Sequence, residues 1–104
     1  LMSDEINSII DKIIQKFNPL KIVLFGSYVN NSQNRDSDLD LLVIMNSTLP
    51  KYKRSSNIKL FLSPYPIPLD ILVFTPNEYQ KYSQVKNHIV YQIKKTGKVL
   101  YDKQ

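Results

Sequence analysis

Asp38 and Asp40 are the residues whose type and spacing speak most directly of chemistry. On a strand, side chains two positions apart point the same way, with Cα atoms about 6.5 Å apart. Two carboxylates so placed repel each other, and burial raises their pKa values unless a cation compensates. Hard divalent cations suit them, because these take carboxylate oxygens and keep water or phosphate oxygens as further ligands. Two such ions about 3.5–4 Å apart can stabilise both the attacking and leaving oxygens of a phosphoryl displacement. The same Asp-x-Asp also fits plain turn chemistry, with Asp36, Ser37 and Asp38 capping a loop-to-strand junction.

A third carboxylate bears on that choice. Asp70 is the lone polar residue in Leu69–Phe74 (LDILVF), and a charge inside such a strand is costly unless paired or metal-bound. If this strand lies beside the one that opens with Asp38, all three carboxylates meet. If it is a plain edge strand, Asp70 simply faces solvent. Gly26-Ser27 supplies the complement. A glycine after a strand lets the chain turn tightly and lets a phosphate come close. Ser27 adds a hydroxyl, and amides opening a short helix would point at an anion. The pair alone is common in turns; its value is its place in the order strand, Gly-Ser, polar loop, Asp-x-Asp, strand.

The elements that must position these residues are legible in the apolar pattern. Ile6, Ile9, Ile10, Ile13, Ile14 and Phe17 recur at helical spacing, which predicts a core-packing helix over residues 3–18, capped by Ser3 or Asp4 and closed by Asn18-Pro19. Residues 20–25 (LKIVLF) predict a buried strand. A short helix over 27–32 and a polar loop over 30–36 follow. In residues 38–45, Leu39, Leu41, Val43 and Met45 share one face, and Asp38, Asp40, Leu42 and Ile44 the other. Residues 49–62 read as a helix with Tyr52, Ile58, Phe61 and Leu62 inward and Lys51, Lys53 and Arg54 outward. Pro64, Pro66 and Pro68 make a stiff connection. Thr75-Pro76-Asn77-Glu78 is a helix start with a capping box. Residues 85–96 predict a helix with Val85, Ile89 and Ile93 inward, ended by Gly97, and residues 99–101 a short last strand.

Composition bounds the rest. The chain has 104 residues, 42% of them apolar, which suits one domain (residues 3–102) with a single core. Leu1 ahead of Met2 reads as a cloning remnant. With no cysteine there is no disulfide, thiolate metal site or cysteine nucleophile. No apolar run approaches membrane length and acids punctuate the first segment, so the expected compartment is the cytoplasm. The net charge of +5 reads first as that of a soluble basic protein; a basic surround for an acidic centre would suit a metal-bound polyphosphate, and a direct nucleic-acid role, resting on charge alone, ranks last. Lys51, Lys53, Arg54 and Lys59 cluster mid-chain; Lys81, Lys86, Lys94, Lys95, Lys98 and Lys103 lie later. His88, the single histidine, reads as a surface or partly packed residue.

Together IVLFGS, RDSDLDLLV and PLDILV resemble the signature of the minimal nucleotidyltransferases, small members of the DNA polymerase beta superfamily. The resemblance covers essentially residues 6–101. It implies an α+β fold, a small mixed β-sheet with helices packed mainly on one face. It also implies that Asp38, Asp40 and Asp70 are catalytic and hold Mg²⁺, two ions in all, and that Gly26, Ser27 and Ser37 bind the nucleotide, ATP. Family members are often paired with a HEPN-type helical toxin, so the implied reaction is transfer of AMP to a tyrosine hydroxyl of that toxin, with this chain as antitoxin. The chain departs from the family where Gly-Ser is often followed by Arg-Ala-Arg-Gly; here Tyr28-Val29-Asn30-Asn31 follows. Asn31 can adopt the left-handed turn conformation, and Arg35 and the central lysines are candidate substitutes for the missing arginines. Two other functions fit the same residues: a non-catalytic antitoxin that silences its partner by occlusion, and a small-molecule nucleotidyltransferase, which would need a second helical domain for its acceptor.

Overall fold

The computed structural model describes residues 3–34 and 36–103; Arg35 lies outside them. The order is α1 (Asp4–Phe17), β1 (Lys21–Phe25), a 3₁₀ turn (Gly26–Asn30), β2 (Leu39–Ile44), α2 (Lys51–Leu62), β3 (Leu69–Phe74), α3 (Pro76–Tyr82), α4 (Ile89–Thr96) and β4 (Lys98–Asp102). The strands form one sheet in the order β3-β2-β1-β4. β1 runs antiparallel to both β2 and β4, and β2 runs parallel to β3. Parallel neighbours need a crossover, and α2 supplies it.

Alternation along the strands sorts the core into two clusters. Leu39, Leu41 and Val43 of β2 join Ile22, Leu24, Ile71 and Val73 beneath Ile9, Ile10 and Ile13 of α1 and Ile58 and Leu62 of α2. Leu42 and Ile44 point the other way, to Val23, Phe74 and the α4 residues Val90 and Ile93, with Tyr79 and Tyr82 of α3 alongside. The two long helices therefore cover one face and the two short ones part of the other. Since Asp40 shares its side of β2 with Leu42 and Ile44, it lies on the face opposite α1 and α2.

The capping signals hold. Ser3 Oγ accepts from the Ile6 amide at 3.2 Å, and Asn18 ends α1 in the left-handed conformation. Thr75 and Glu78 close a full capping box around Pro76. Two expected faces are corrected. In α2 the inward stripe is Arg54, Ile58 and Leu62, while Tyr52 is 69% exposed. Arg54, expected outside, is buried because its guanidinium finds acceptors: Nε donates to the Leu49 carbonyl at 2.8 Å and Nη1 to Glu78 Oε1 at 2.7 Å. The last helix starts at Ile89, not 85, because His88 Nδ1 accepts from the Val90 amide and caps it there. Its buried stripe is Val90 and Ile93, leaving Val85 and Ile89 exposed. His88 itself stacks on Tyr82, ring centres 4.3 Å apart.

Candidate functional site

The candidate site lies where β1 ends and β2 and β3 begin. Asp40 and Asp70 are register partners on adjacent parallel strands, so they stand side by side on one face, their backbones about 4.8 Å apart. The Leu39 amide donates to the Pro68 carbonyl at 2.8 Å, which ties the proline connection to the start of β2. Across the other edge of β2, Asp40 pairs with Phe25, the last residue of β1. Gly26 comes next, and with φ +79° it turns the chain away from the sheet. A methyl group on Gly26 would run into the Asp40 carboxylate: its Cγ would be 3.0 Å away and its Cβ 3.2 Å. Glycine is required here twice, for the conformation and for the space.

Asp40 is thus half-buried between a backbone turn and a second carboxylate. Burial pushes its pKa above the ordinary aspartate value, and the charges of Asp70 and Asp38 push it the same way. Asp38 and Asp70 are both exposed. Among the described residues none of the three makes a salt bridge. An Asp40 that feels the charges of both Asp70 and Asp38, with no paired cation among the described residues, is in an electrostatic setting that a divalent ion would relieve. Among the described residues no three acidic or histidine side chains are close enough to enclose a metal ion. The donor type suits a hard cation; the placement of the described side chains does not by itself form its site.

The Gly-Ser turn is built from its own backbone. The Ser27 carbonyl accepts from the amides of Asn31 and Ser32 and from the Ser32 hydroxyl, the last two at 3.1 Å. Asn31 adopts the left-handed conformation at φ 56°, as its residue type allows. The Ser27 hydroxyl makes no hydrogen bond among the described residues. Ser37 holds the next turn: its hydroxyl oxygen accepts from the Asn34 amide at 3.0 Å, and its amide donates to the Asn34 carbonyl at 3.0 Å. The Ser37 proton remains available to an anion. The expected substitutes for the missing arginines fare differently. Arg35 lies outside the described residues. Lys51 sits over the rings of Phe74 and Tyr82, 4.4 and 5.1 Å from their centres, at the end of β3 remote from Asp70.

The family Polymerase beta, Nucleotidyltransferase matches residues 7–104. This chain belongs to that family. Among relatives of this nucleotidyltransferase-family chain, the Methanocaldococcus jannaschii protein named putative protein adenylyltransferase MJ0141 is 33% identical over 61 residues, or 59% of this chain. The chain spans 60% of that relative's length. A crystal structure of a toxin-antitoxin with AMP-PNP matches with TM-score 0.68 at 27% identity, over 98% of this chain and 76% of that one. A second crystal structure, the toxin-antitoxin MntA-HpeT with two aspartates two positions apart changed to glutamate, matches with TM-score 0.61 at 26% identity over the same shares.

One structural feature escaped the sequence reading. The Arg54–Glu78 pair joins α2 to the start of α3, and Glu78 also accepts from the Thr75 amide. The available signal was the spacing of Arg54, Ile58 and Leu62, four residues apart on one helix face. Among the described residues, no helix is long and apolar enough to cross a membrane.

Proposed function

We propose that residues 3–102 form one nucleotidyltransferase domain that acts in the cytoplasm as an antitoxin, moving AMP from ATP to a tyrosine hydroxyl of a HEPN-type toxin. The observation that carries this reading is the side-by-side placement of Asp40 and Asp70, with Gly26 pressed against Asp40. Family membership supports the reaction class, and the AMP-PNP and toxin-antitoxin neighbours support the nucleotide and the kind of partner. The aspartates changed in the second neighbour have the spacing of Asp38 and Asp40.

In this reading Asp38, Asp40 and Asp70 would hold Mg²⁺, two ions, which when bound supply charge to stabilise both the attacking and leaving oxygens. Asp70, the outermost carboxylate, takes the proton from the acceptor hydroxyl. That oxygen forms its bond to the α-phosphorus, the bond from the α-phosphorus to the bridging oxygen breaks, and pyrophosphate leaves. Ser27, Ser37 and the amides of the Gly26 turn donate to the phosphates, and the missing side chain of Gly26 leaves room for their approach.

The test is label transfer from radiolabelled ATP to the purified cognate toxin with Mg²⁺, in the wild type and in Asp38→Asn plus Asp40→Asn. Transfer that depends on both aspartates is expected; transfer that survives their loss would refute the site. A second reading is occlusion without chemistry, and the observation favouring it is the Tyr28–Asn31 segment, which offers phosphate no cationic side chain. Protection from the toxin by the double variant would decide for it.

A further inference from the structure

The outer face of α2 carries a second kind of information. A helix that packs on a sheet ordinarily turns polar side chains to water. Here the stripe opposite Arg54, Ile58 and Leu62 holds Tyr52 and Leu60, which are 69% and 77% exposed. Ser56, between Tyr52 and Leu60, turns its hydroxyl back to the Tyr52 carbonyl at 2.9 Å, and Ser55 does the same at 3.4 Å. The stripe is therefore low and has its own hydroxyls satisfied. A groove beside it is lined by Ser56, Lys59, Leu60, Ser63 and Tyr65.

Charge says what would cover it. α2 contains four cations and no acid. Arg54 is neutralised by Glu78, and Lys51 lies on aromatic rings. Lys53 and Lys59 flank the apolar stripe and make no salt bridge among the described residues. An apolar strip edged by cations is complementary to an amphipathic helix whose apolar side is edged by aspartate or glutamate. Tyr52 also borders a second, apolar groove along β3, the sheet edge that carries Asp70.

We infer that the outer face of α2, centred on Tyr52 and Leu60 between Lys53 and Lys59, is the docking surface for an acidic amphipathic helix of the partner toxin. The inference rests on the partner reading given above. It places the anchor on the face opposite Asp40, so the toxin can be held without covering the carboxylates, and its acceptor can reach Asp70 around the β3 edge.

The test uses the whole chain and the purified cognate toxin, with affinity read by calorimetry. Tyr52→Ser plus Leu60→Glu should weaken binding at least about tenfold, while melting temperature and binding of AMP-PNP stay unchanged. Lys53→Glu plus Lys59→Glu should weaken it too and flatten its salt dependence. Wild-type affinity in both variants overturns the docking surface and leaves the partner reading standing. No binding by the wild type overturns both. A wild-type dimer that Leu60→Glu dissociates, with toxin affinity unchanged, makes a second copy the occupant and overturns the proposal.

Discussion

Replacing Gly26 by alanine is the sharpest perturbation of the candidate site, because its cost divides into two parts that can be separated. The first is conformational. Gly26 has φ +79°, and an L-residue held in a left-handed conformation costs about 1–2 kcal/mol. The second is steric. The new methyl would collide with Asp40 Oδ2 and lie 3.0 Å from its Cγ, and forcing an extra carbon into a filled space costs about 1–3 kcal/mol. Asp40 cannot yield cheaply, since it is partly buried and the charges of Asp70 and Asp38 already act on it. The total is about 2–5 kcal/mol, a fall in melting temperature on the order of 10–30 °C for a domain of this size. Now place the same substitution in an Asp40→Ala background. Oδ2 and Cγ are gone and only the 3.2 Å Cβ contact remains, so the cost should shrink to about 1–2 kcal/mol. Urea unfolding with EDTA present, on the wild type, the two single variants and the double, gives the coupling directly. Equal costs in the two backgrounds, within about 0.5 kcal/mol, would show that Gly26 does not confine Asp40.

Other expectations follow from the same geometry. Asp40 has a raised pKa in the folded state, so the folded chain binds the extra proton and metal-free stability should fall as pH rises from 3.8 through the folded value. Asp38→Asn plus Asp40→Asn should therefore be at least as heat-stable as the wild type in EDTA near neutral pH, and Mg²⁺ should raise the melting temperature of the wild type alone; a marked loss in EDTA would mean these aspartates hold the fold. Arg54→Ala should cost about 1–3 kcal/mol by urea unfolding, because it removes the donor to the Leu49 and Val73 carbonyls and the cation beside Glu78, which is part-exposed and keeps the Thr75 amide. Glu78 has a lowered pKa owing chiefly to its hydrogen bond from Arg54, so its contribution should be complete above the unfolded value of 4.5 and vanish as pH falls through the folded one, a drop that Glu78→Gln abolishes. Asn31→Gly should be neutral within about 0.5 kcal/mol and Asn31→Val should cost about 1–2 kcal/mol, given φ 56°; equal stabilities would show that the turn relaxes.

What the sequence made legible was local. The cap at Ser3, the box at Thr75–Glu78 and the turn at Asn31 are each set by groups within five residues of one another, so the chain's order contains the whole interaction. The two faces of β2 were legible because alternation needs no partner. The inward face of α2 was not. Counting apolar residues puts Tyr52 inside and Arg54 outside, and the reverse holds because Arg54 finds Glu78 twenty-four positions later. The start of α4 was missed for a related reason: Val85 extends the apolar spacing, but the hydrogen bond from the Val90 amide to His88 Nδ1 fixes where the helix begins. At the candidate site, all three aspartates were singled out from residue type, and the structure sets two of them, Asp40 and Asp70, in register on neighbouring strands. That Asp40 and Asp70 would be register partners depended on β2 and β3 running parallel, which α2 allows but no short pattern states.

The three carboxylates are not equivalent, and the difference bears on how the site would work. Asp40 is held by its neighbours: Gly26 closes one side, Phe25 pairs across the antiparallel edge, and Asp70 closes the other side. Asp38 stands before β2 on an exposed stretch, and Asp70 lies on the free edge of the sheet. Neighbouring anions repel one another, and a shared cation would draw them together. Closure would then be a side-chain event rather than a movement of strands, because the backbone register is already set by hydrogen bonds. The Ser27–Ser32 turn has the same character, fixed through the Ser27 carbonyl while its hydroxyl stays unengaged. In the proposed site the backbone would supply the fixed frame, through the strand register and the Ser27 turn, and the exposed carboxylates and hydroxyls would supply the donor groups.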